Sequence, residues 1–195
     1  MVDPPIFAYS EALLFWAIFI WSLVFEILRF GVKRGAPPGN VQDAGTLRRI
    51  NVGSNIALWL ALLVAWLPWL RIRNPRLALW VGTLVLLAGF LVRRHAMRAL
   101  GKCFTAAVSV APDQPLVQSG PYRWIRHPGY AGGFAMFLGI GLALGSWLSV
   151  LVFVIEILLV YTPRVRAEEK ALVETIGEPY RAYMTRTKRF IPFVF

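Results

Sequence analysis

The sequence predicts an all-α integral membrane protein with about five transmembrane helices, built as one domain over residues 1–195. Its 195 residues are 57% hydrophobic and only 16% charged, whereas soluble domains carry about a quarter charged residues. The apolar residues also occur in runs that can cross a hydrocarbon core of about 30 Å, which takes about 20 helical residues. Both disorder and a soluble globular enzyme are therefore disfavoured.

A C-terminal helical hairpin is the most specific element of the predicted fold. The apolar stretch 130–162 is too long for one span, since a helix rises about 1.5 Å per residue. Gly145, Ser146 and Trp147 mark a turn inside it, and a single kinked or partly re-entrant helix is the alternative. The predicted spans are residues 7–30, 50–70, 76–95, 128–145 and 147–164.

The loops between these spans differ strongly in their basic residues. If the N-terminus lies outside, 18 of the 21 Lys and Arg residues fall on the cytoplasmic side, as the positive-inside rule favours. The C-terminus and segments 114–130 and 164–192 would then be cytoplasmic, and the net charge of +11 would also attract anionic membrane lipids. The N-terminal residues lack the features of a removable signal peptide, so we expect the first span to remain as an anchor.

Composition and motifs exclude several kinds of site. A single cysteine and two histidines make a metal centre implausible. The basic residues lie between apolar runs instead of forming a surface patch, which argues against nucleic-acid binding. The G-x-S-x-G motif of serine hydrolases and the H-E-x-x-H motif of zinc proteases do not occur in the sequence.

The remaining polar residues are concentrated in two segments that flank the hairpin. In the first, Arg126 and His127 stand at the predicted start of a helix and could hold a carboxylate; snorkelling toward lipid phosphates and an ordinary interfacial histidine are the alternatives. In the second, Arg164 and Glu168 are four residues apart and can pair on one helix face. Glu168 and Glu169 could bind ribose hydroxyls or an ammonium group, and a solvated helix face is the alternative.

Small residues recur on the first limb of the hairpin. Between Ala131 and Ala143 every fourth residue is Ala or Gly, and Gly129 with Gly133 forms a G-x-x-x-G pair. Small residues let helix backbones approach closely in lipid. We therefore interpret the pattern as tight packing within the hairpin, with a lipid-accessible groove as the alternative.

Taken together, the two polar segments resemble the isoprenylcysteine carboxyl methyltransferase family and its phospholipid N-methyltransferase relatives. The resemblance is carried by G-P-Y-R-x-x-R-H-P-x-Y, an apolar hairpin, R-x-x-x-E-E and then G-x-x-Y-x-x-Y, over about residues 114–192. Members of this family are small integral membrane enzymes that use S-adenosylmethionine. The resemblance thus implies an S-adenosylmethionine-dependent methyltransferase with a cytoplasmic tail that covers the cofactor.

The resemblance also implies roles for individual residues. Arg164 matches the position linked to the methyl-accepting substrate, and Glu168 would bind the cofactor from the opposite flank; these two are the candidate catalytic residues. Arg126 and Glu169 are further candidate cofactor ligands. The other candidate cofactor residues are Gln114, Pro115, Leu116 and Val117 beside the adenine, Tyr122 in the pocket wall, and His127, Pro128, Gly129 and Tyr130 around the amino-acid part.

Glu156 lies inside the apolar run LVFVIEILLV. A charged side chain in the middle of a bilayer costs at least ~2.5 kcal/mol, so this carboxyl should face the helix bundle or a polar cavity. We interpret Glu156 as a substrate-binding residue on the path of the methyl acceptor. A buried structural hydrogen bond is the alternative.

The implied acceptor is a lipophilic small molecule or lipid that enters from the bilayer. The resemblance does not distinguish an isoprenylcysteine carboxylate from a phospholipid amine, a small thiol or an isoprenoid. A carboxylate is already ionised at pH 7, whereas an amine or thiol would need a base such as Glu156, Glu168 or His127. Two other interpretations compete: a sterol reductase, whose family binds NADPH and shares a similar R-H-P-x-Y motif, and a membrane scaffold without enzymatic activity.

Overall fold

The computed structural model describes residues 3–32, 40–41, 45–104, 109–110 and 115–190. Nearly all of the regular structure in these ranges is helical. The helices are α1 (Pro5–Ala8), α2 (Ala12–Val32), α3 (Thr46–Val64), α4 (Pro75–Leu100), α5 (Pro128–Ala143), α6 (Trp147–Glu156), α7 (Thr162–Ile176) and α8 (Glu178–Arg186). A π-helical turn, Ile157–Tyr161, joins α6 to α7, and 3-10 turns cover Gly101–Cys103 and Gly120–Arg123.

The apolar helices are those of an integral membrane protein. Three described stretches are long and apolar enough to cross a bilayer, namely Thr46–Val64, Pro75–Leu100 and the continuous helix Trp147–Ile176. Two shorter apolar helices, Ala12–Leu28 and Pro128–Ala143, accompany them. The described apolar parts of α2 and α5 have at most 17 residues, fewer than any of the other three stretches. The count of five spans therefore stays a prediction.

Several helix bounds differ from the predicted spans for local reasons. The predicted span 7–30 is divided between α1 and α2. The predicted span 50–70 starts and ends later than α3. The residues that it adds at the C-terminal end include Pro68, which cannot continue a helix. Asn74 caps α4, its Oδ1 accepting from the Leu77 amide at 3.0 Å, and α4 then runs past the predicted end of its span.

The chain reverses between α5 and α6, as the sequence predicts. Gly145 has a φ of +69°, a conformation that favours glycine, and the Ser146 hydroxyl caps α6 by accepting from the Ser149 amide at 3.4 Å. The alternative of one kinked helix is therefore wrong. The second limb continues beyond residue 164 to Ile176, so the residues of the second polar segment stand on the same helix that leaves the hairpin.

The small residues of α5 serve mainly to bring it against α4. A Cβ added at Gly139 would lie 2.5 Å from the Leu86 nitrogen of α4, so the two backbones touch directly. Gly141 faces α6 instead, where an added Cβ would lie 2.9 Å from the Val150 Cα. A Cβ at Gly129 would meet only Ala96, at 4.0 Å. For Gly139 the interpretation as packing within the hairpin is therefore wrong, because its partner helix is α4.

Gly139→Ala is expected to destabilise the protein by about 2 kcal/mol or more, because overpacking a backbone contact this close costs about 3 kcal/mol or more and helix propensity returns only about 1 kcal/mol. Gly133→Ala is the matched control on the same helix, since its Cβ would lie 3.6 Å from Arg93 Nη1. Thermal unfolding in detergent measures both variants. Equal midpoints for the two would contradict the assignment of the α4–α5 contact.

A short antiparallel pairing joins two loops at one end of the bundle. β1 (Asn40–Val41), which precedes α3, pairs with β2 (Ser109–Val110), which follows α4. Val110 also packs against Ala171 of α7. The sequence pattern does not reveal this pairing, because two residues are too few to show the alternation of a strand.

Candidate functional site

The two polar segments that flank the hairpin meet at one end of the helix bundle. The first leads through the 3-10 turn Gly120–Arg123 into α5, and the second forms α7 and α8. Main-chain pairing holds the tail against the first segment, since Ile125 and Lys188 form a parallel bridge. Of the predicted site residues, Gln114 lies outside the described residues.

A buried hydrogen-bond relay joins α3, α5 and α7. Arg164 Nε donates to the Tyr130 hydroxyl at 3.0 Å, and that hydroxyl donates to Glu168 Oε2 at 2.7 Å. Arg164 Nη1 donates to the Thr46 hydroxyl at 2.8 Å. Because Arg164 is 3% exposed and Thr46 4% exposed, the guanidinium is fixed in place. The predicted pairing of Arg164 with Glu168 therefore runs through the phenol of Tyr130.

Glu168 keeps hydrogen-bonding capacity for a ligand. Its Oε2 accepts from Tyr130, and its Oε1 has no partner among the described residues. Tyr122 is buried nearby, and burial together with the negative charge of Glu168 raises the pKa of its phenol well above the ordinary value. Tyr122 is thus a neutral hydroxyl beside a carboxylate.

Glu169 turns the other way, into a cluster of basic side chains. Its Oε1 accepts from Arg126 Nε at 3.0 Å and lies 3.3 Å from His127 Nε2. Its Oε2 accepts from Arg189 Nη2 at 2.7 Å. Glu169 is only 5% exposed, and both of its carboxylate oxygens bind side chains of the protein. The bond to Glu169 also raises the pKa of Arg189, which keeps that guanidinium charged.

The tail is fixed to the first segment by further hydrogen bonds. The Arg126 amide donates to the Lys188 carbonyl at 2.7 Å, and the Arg126 guanidinium donates to the carbonyls of Met184 and Thr187. The Tyr183 hydroxyl donates to the Tyr122 carbonyl at 2.6 Å. Burial raises the pKa of Tyr183 to about 12, so this phenol remains a donor at neutral pH. Arg126 therefore holds the tail against the first polar segment.

The chain before the 3-10 turn offers backbone groups that bond to no other described residue. Leu116 and Val117 are half-buried, and within the described ranges their main-chain groups make no hydrogen bond. Pro115 precedes them on the surface. Amide and carbonyl groups of this kind can hydrogen-bond to the edge of a heterocycle.

The start of α5 is held by an ion pair between helices. Arg93 of α4 binds Glu26 of α2 through two bonds, with Nε to Oε1 at 2.6 Å and Nη2 to Oε2 at 3.0 Å. Its Nη1 donates to the Gly129 carbonyl at 3.0 Å. Pro128 occupies the first turn of α5, next to the buried His127. The ion pair thus fixes the turn that carries the predicted cofactor residues.

Glu156 lies deeper, where α6 meets α3. Its Oε1 accepts from the Ser54 hydroxyl at 2.8 Å, while its Oε2 is buried without a hydrogen-bond partner among the described residues. The side chain faces the bundle, as the cost of exposing it to lipid requires. The structural hydrogen bond that we considered as the alternative is present, and one oxygen remains without a protein partner.

Sequence reasoning missed four residues that build this end of the bundle: Thr46, Arg93, Tyr183 and Arg189. Tyr183 could have been found, because it belongs to the G-x-x-Y-x-x-Y pattern. Glu26 and Arg93 each lie at the end of an apolar run, and charges there commonly pair. Thr46 carries no signal in the sequence, since its role depends on where α3 begins in space.

Comparison with known proteins identifies the central part of the chain. A model of the isoprenylcysteine carboxyl methyltransferase family matches residues 80–174. The match covers 95 of the 195 residues, just under half of the chain. The family match confirms the resemblance found in the polar segments and extends it to α4, which the resemblance did not cover.

Relatives of the isoprenylcysteine carboxyl methyltransferase family match over different lengths. The protein-S-isoprenylcysteine O-methyltransferase of Saccharomyces cerevisiae is 34% identical over 116 residues, 58% of this chain and 48% of that protein. The enzyme of the same name from Dictyostelium discoideum is 25% identical over 192 residues, 96% of this chain and 81% of that protein. This chain therefore spans about half the length of the yeast relative.

A solved structure shares the fold. The eukaryotic intramembrane Ras methyltransferase ICMT (isoprenylcysteine carboxyl methyltransferase) matches with a TM-score of 0.62 and 24% sequence identity. The match covers 74% of this chain and 52% of that chain. The helical architecture around the hairpin is thus that of a known membrane enzyme.

Proposed function

We propose that this protein is an S-adenosylmethionine-dependent methyltransferase whose acceptor is an isoprenylcysteine carboxylate that enters from the bilayer. The observation that supports this most is the relay from Thr46 through Arg164 and Tyr130 to Glu168, because it sets a fixed cation and a carboxylate side by side. S-adenosylmethionine, when bound, supplies a methyl group on a positively charged sulfur. We also propose that this site faces the cytoplasm, as the distribution of basic residues favours.

Several polar atoms that have no partner among the described residues fit such a cofactor. The main-chain groups of Leu116 and Val117 suit the adenine edge, and Glu168 Oε1 suits a hydroxyl or ammonium group. The Glu168 carboxylate also attracts a cationic ligand. Gly129 is loosely packed at the start of α5, since an added Cβ would meet only Ala96, at 4.0 Å, and the amino-acid part would lie there between His127 and Tyr130.

Within this proposal, Arg126 and Glu169 have a role other than the ligand contacts suggested by the sequence. Glu169 is committed to Arg126, His127 and Arg189, and Arg126 also binds tail carbonyls. We propose that the two residues close the tail over the cofactor. They are therefore positioning residues that act through the tail.

The acceptor carboxylate would be oriented by Arg164. A guanidinium presents a planar fork that matches a carboxylate, and Tyr130 and Thr46 prevent it from turning. The acceptor is ionised at pH 7, so it can attack the methyl group without a base. Alignment of the two reactants and exclusion of water would supply the rate enhancement. Glu156, with its unpartnered oxygen between α3 and α6, would line the acceptor path below Arg164.

Calorimetric titration of the detergent-purified protein with S-adenosylhomocysteine tests the cofactor site. We expect binding to weaken about tenfold or more, about 1.4 kcal/mol, in Glu168→Gln, which removes the free carboxylate. Gly129→Leu should weaken it similarly, because a bulky side chain would crowd the start of α5, whereas a Cβ alone would only touch Ala96, at 4.0 Å. Glu174→Gln is the matched control, since that exposed glutamate on α7 pairs only with the exposed Lys170 among described residues.

The same titration separates the competing interpretations. Binding of NADPH without binding of S-adenosylhomocysteine would favour a reductase, and binding of neither would favour a scaffold. Equal affinity in Glu168→Gln, Gly129→Leu and the control would contradict the residue assignments. Transfer of a radiolabelled methyl group to N-acetyl-S-farnesylcysteine, but not to phosphatidylethanolamine, is the result expected for a carboxylate acceptor.

A further inference from the structure

A groove of about 600 Å³ lies between the first turns of α3 and the π-helical turn. Arg48 and Arg49 form its polar end, and its apolar walls are Val52, Gly53, Leu159 and Val160. The groove thus has a charged end and an apolar part, which match the polar head and the apolar chain of an amphiphilic ligand. Neither arginine belongs to the relay or to the tail cluster.

Glycine at position 53 sets the shape of the apolar part. A Cβ there would lie 2.8 Å from Val160 Cγ2, so α3 and the π-helical turn nearly touch at this point. Leu159 beside it is 71% exposed. The apolar wall formed by Leu159 is therefore exposed on the side of the continuous apolar helix Trp147–Ile176, where lipid would contact it.

The polar end carries positive charge that no described carboxylate neutralises. Arg48 and Arg49 are exposed, and neither forms an ion pair with a carboxylate of the described residues. They follow Thr46, which binds Arg164, so the groove opens at the same membrane surface as the site. Two adjacent guanidiniums at that level match the phosphate of a lipid headgroup.

We propose that this groove binds an anionic phospholipid, with its phosphate between Arg48 and Arg49 and one acyl chain along Val52 and Leu159. The methyl acceptor does not account for these two charges, because its carboxylate must reach the buried Arg164. A lipid in the groove would contact the first turns of α3 and so stabilise the position of Thr46 at the start of that helix. The site is independent of methyl transfer and needs no cofactor.

Binding of short-chain lipids to the purified protein tests this site directly. The probes are dihexanoyl phosphatidylglycerol, dihexanoyl phosphatidylcholine and inorganic phosphate, each titrated by calorimetry below its micelle concentration. We expect phosphatidylglycerol to bind about tenfold or more tightly than either other probe, which corresponds to about 1.4 kcal/mol. Equal binding of phosphatidylcholine would overturn the role of charge, and equal binding of phosphate would overturn the role of the acyl chain.

Variants connect the binding to the groove. Arg48→Gln with Arg49→Gln should abolish the preference for phosphatidylglycerol, and Arg48→Lys with Arg49→Lys should keep most of it, which also separates binding from folding. Arg73→Gln, which removes an exposed cation before α4, is the control and should bind as wild type. Val52→Phe should block the groove while keeping both arginines. An unchanged preference in the glutamine variant would overturn the proposal, as would competition by N-acetyl-S-farnesylcysteine for the same site.

Discussion

Replacing Arg164 with alanine is expected to lower the kcat of methyl transfer by about 100-fold or more, the loss seen when one fixed charge-stabilising donor is removed from an active site. Arg164 is buried and bonded to Tyr130 and Thr46, so its charge is held in place before the acceptor arrives. Affinity for S-adenosylhomocysteine should change little, because Glu168 and the main chain of Leu116 and Val117 remain. Radiolabelled methyl transfer to N-acetyl-S-farnesylcysteine measures the first quantity, and calorimetry the second.

Two further variants sharpen this prediction. Arg164→Lys keeps the charge but loses the planar fork and the rigid bonding pattern, so its kcat should fall between those of wild type and the alanine variant. Arg166→Ala is the matched control, since it removes an exposed arginine two residues away. A loss of cofactor affinity equal to the loss of kcat would show that Arg164 merely supports the cofactor site through Tyr130.

Much of this site could be anticipated because its signals are local. Pro128 marks the start of a helix and Gly145 marks the turn of the hairpin, and both signals operate within a few residues. The two polar segments then lie at the same end of the hairpin by necessity, since two antiparallel limbs bring their outer ends together. The proximity of Tyr130 to Glu168 follows from that geometry.

Partners from distant parts of the chain could not be anticipated in the same way. Thr46 reaches Arg164 only because α3 begins beside α7, and no spacing in the sequence encodes that contact. Glu168 and Glu169 look alike in the sequence, yet one oxygen of Glu168 has no partner in the described part of the chain, and Glu169 is enclosed by basic side chains. Their difference arises because adjacent residues point about 100° apart on α7.

The pattern of small residues shows a related limit. Periodicity identifies which face of α5 is small, but it does not identify the helix that the face meets. Gly139 meets Leu86 of α4, and Gly141 meets Val150 of α6. The two glycines are two residues apart, so they point to different sides of α5 and serve different neighbours.

Glu169→Gln is expected to destabilise the closed tail by about 3–5 kcal/mol, because removing one member of a buried ion pair leaves uncompensated charge. Its carboxylate binds Arg126, whose side chain is 10% exposed, and also Arg189 and His127. In this variant the buried Arg126 loses the carboxylate that neutralises it. The tail, which pairs with residues 125–127, should therefore open. Trypsin should then cleave faster after Lys188 and Arg189, and the thermal midpoint should fall.

Glu178→Gln is the matched control for this prediction. Glu178 carries the same charge in the same C-terminal region and pairs with Arg181 at 3.9 Å, but both side chains are exposed. Exposed pairs contribute about 0–1 kcal/mol, so this variant should resist trypsin as wild type does. If the two variants are cleaved at the same rate, the Glu169 cluster does not hold the tail. If only Glu169→Gln opens it, weaker binding of S-adenosylhomocysteine should accompany the cleavage, because we propose that the tail closes over the cofactor site, whose Glu168 remains intact in this variant.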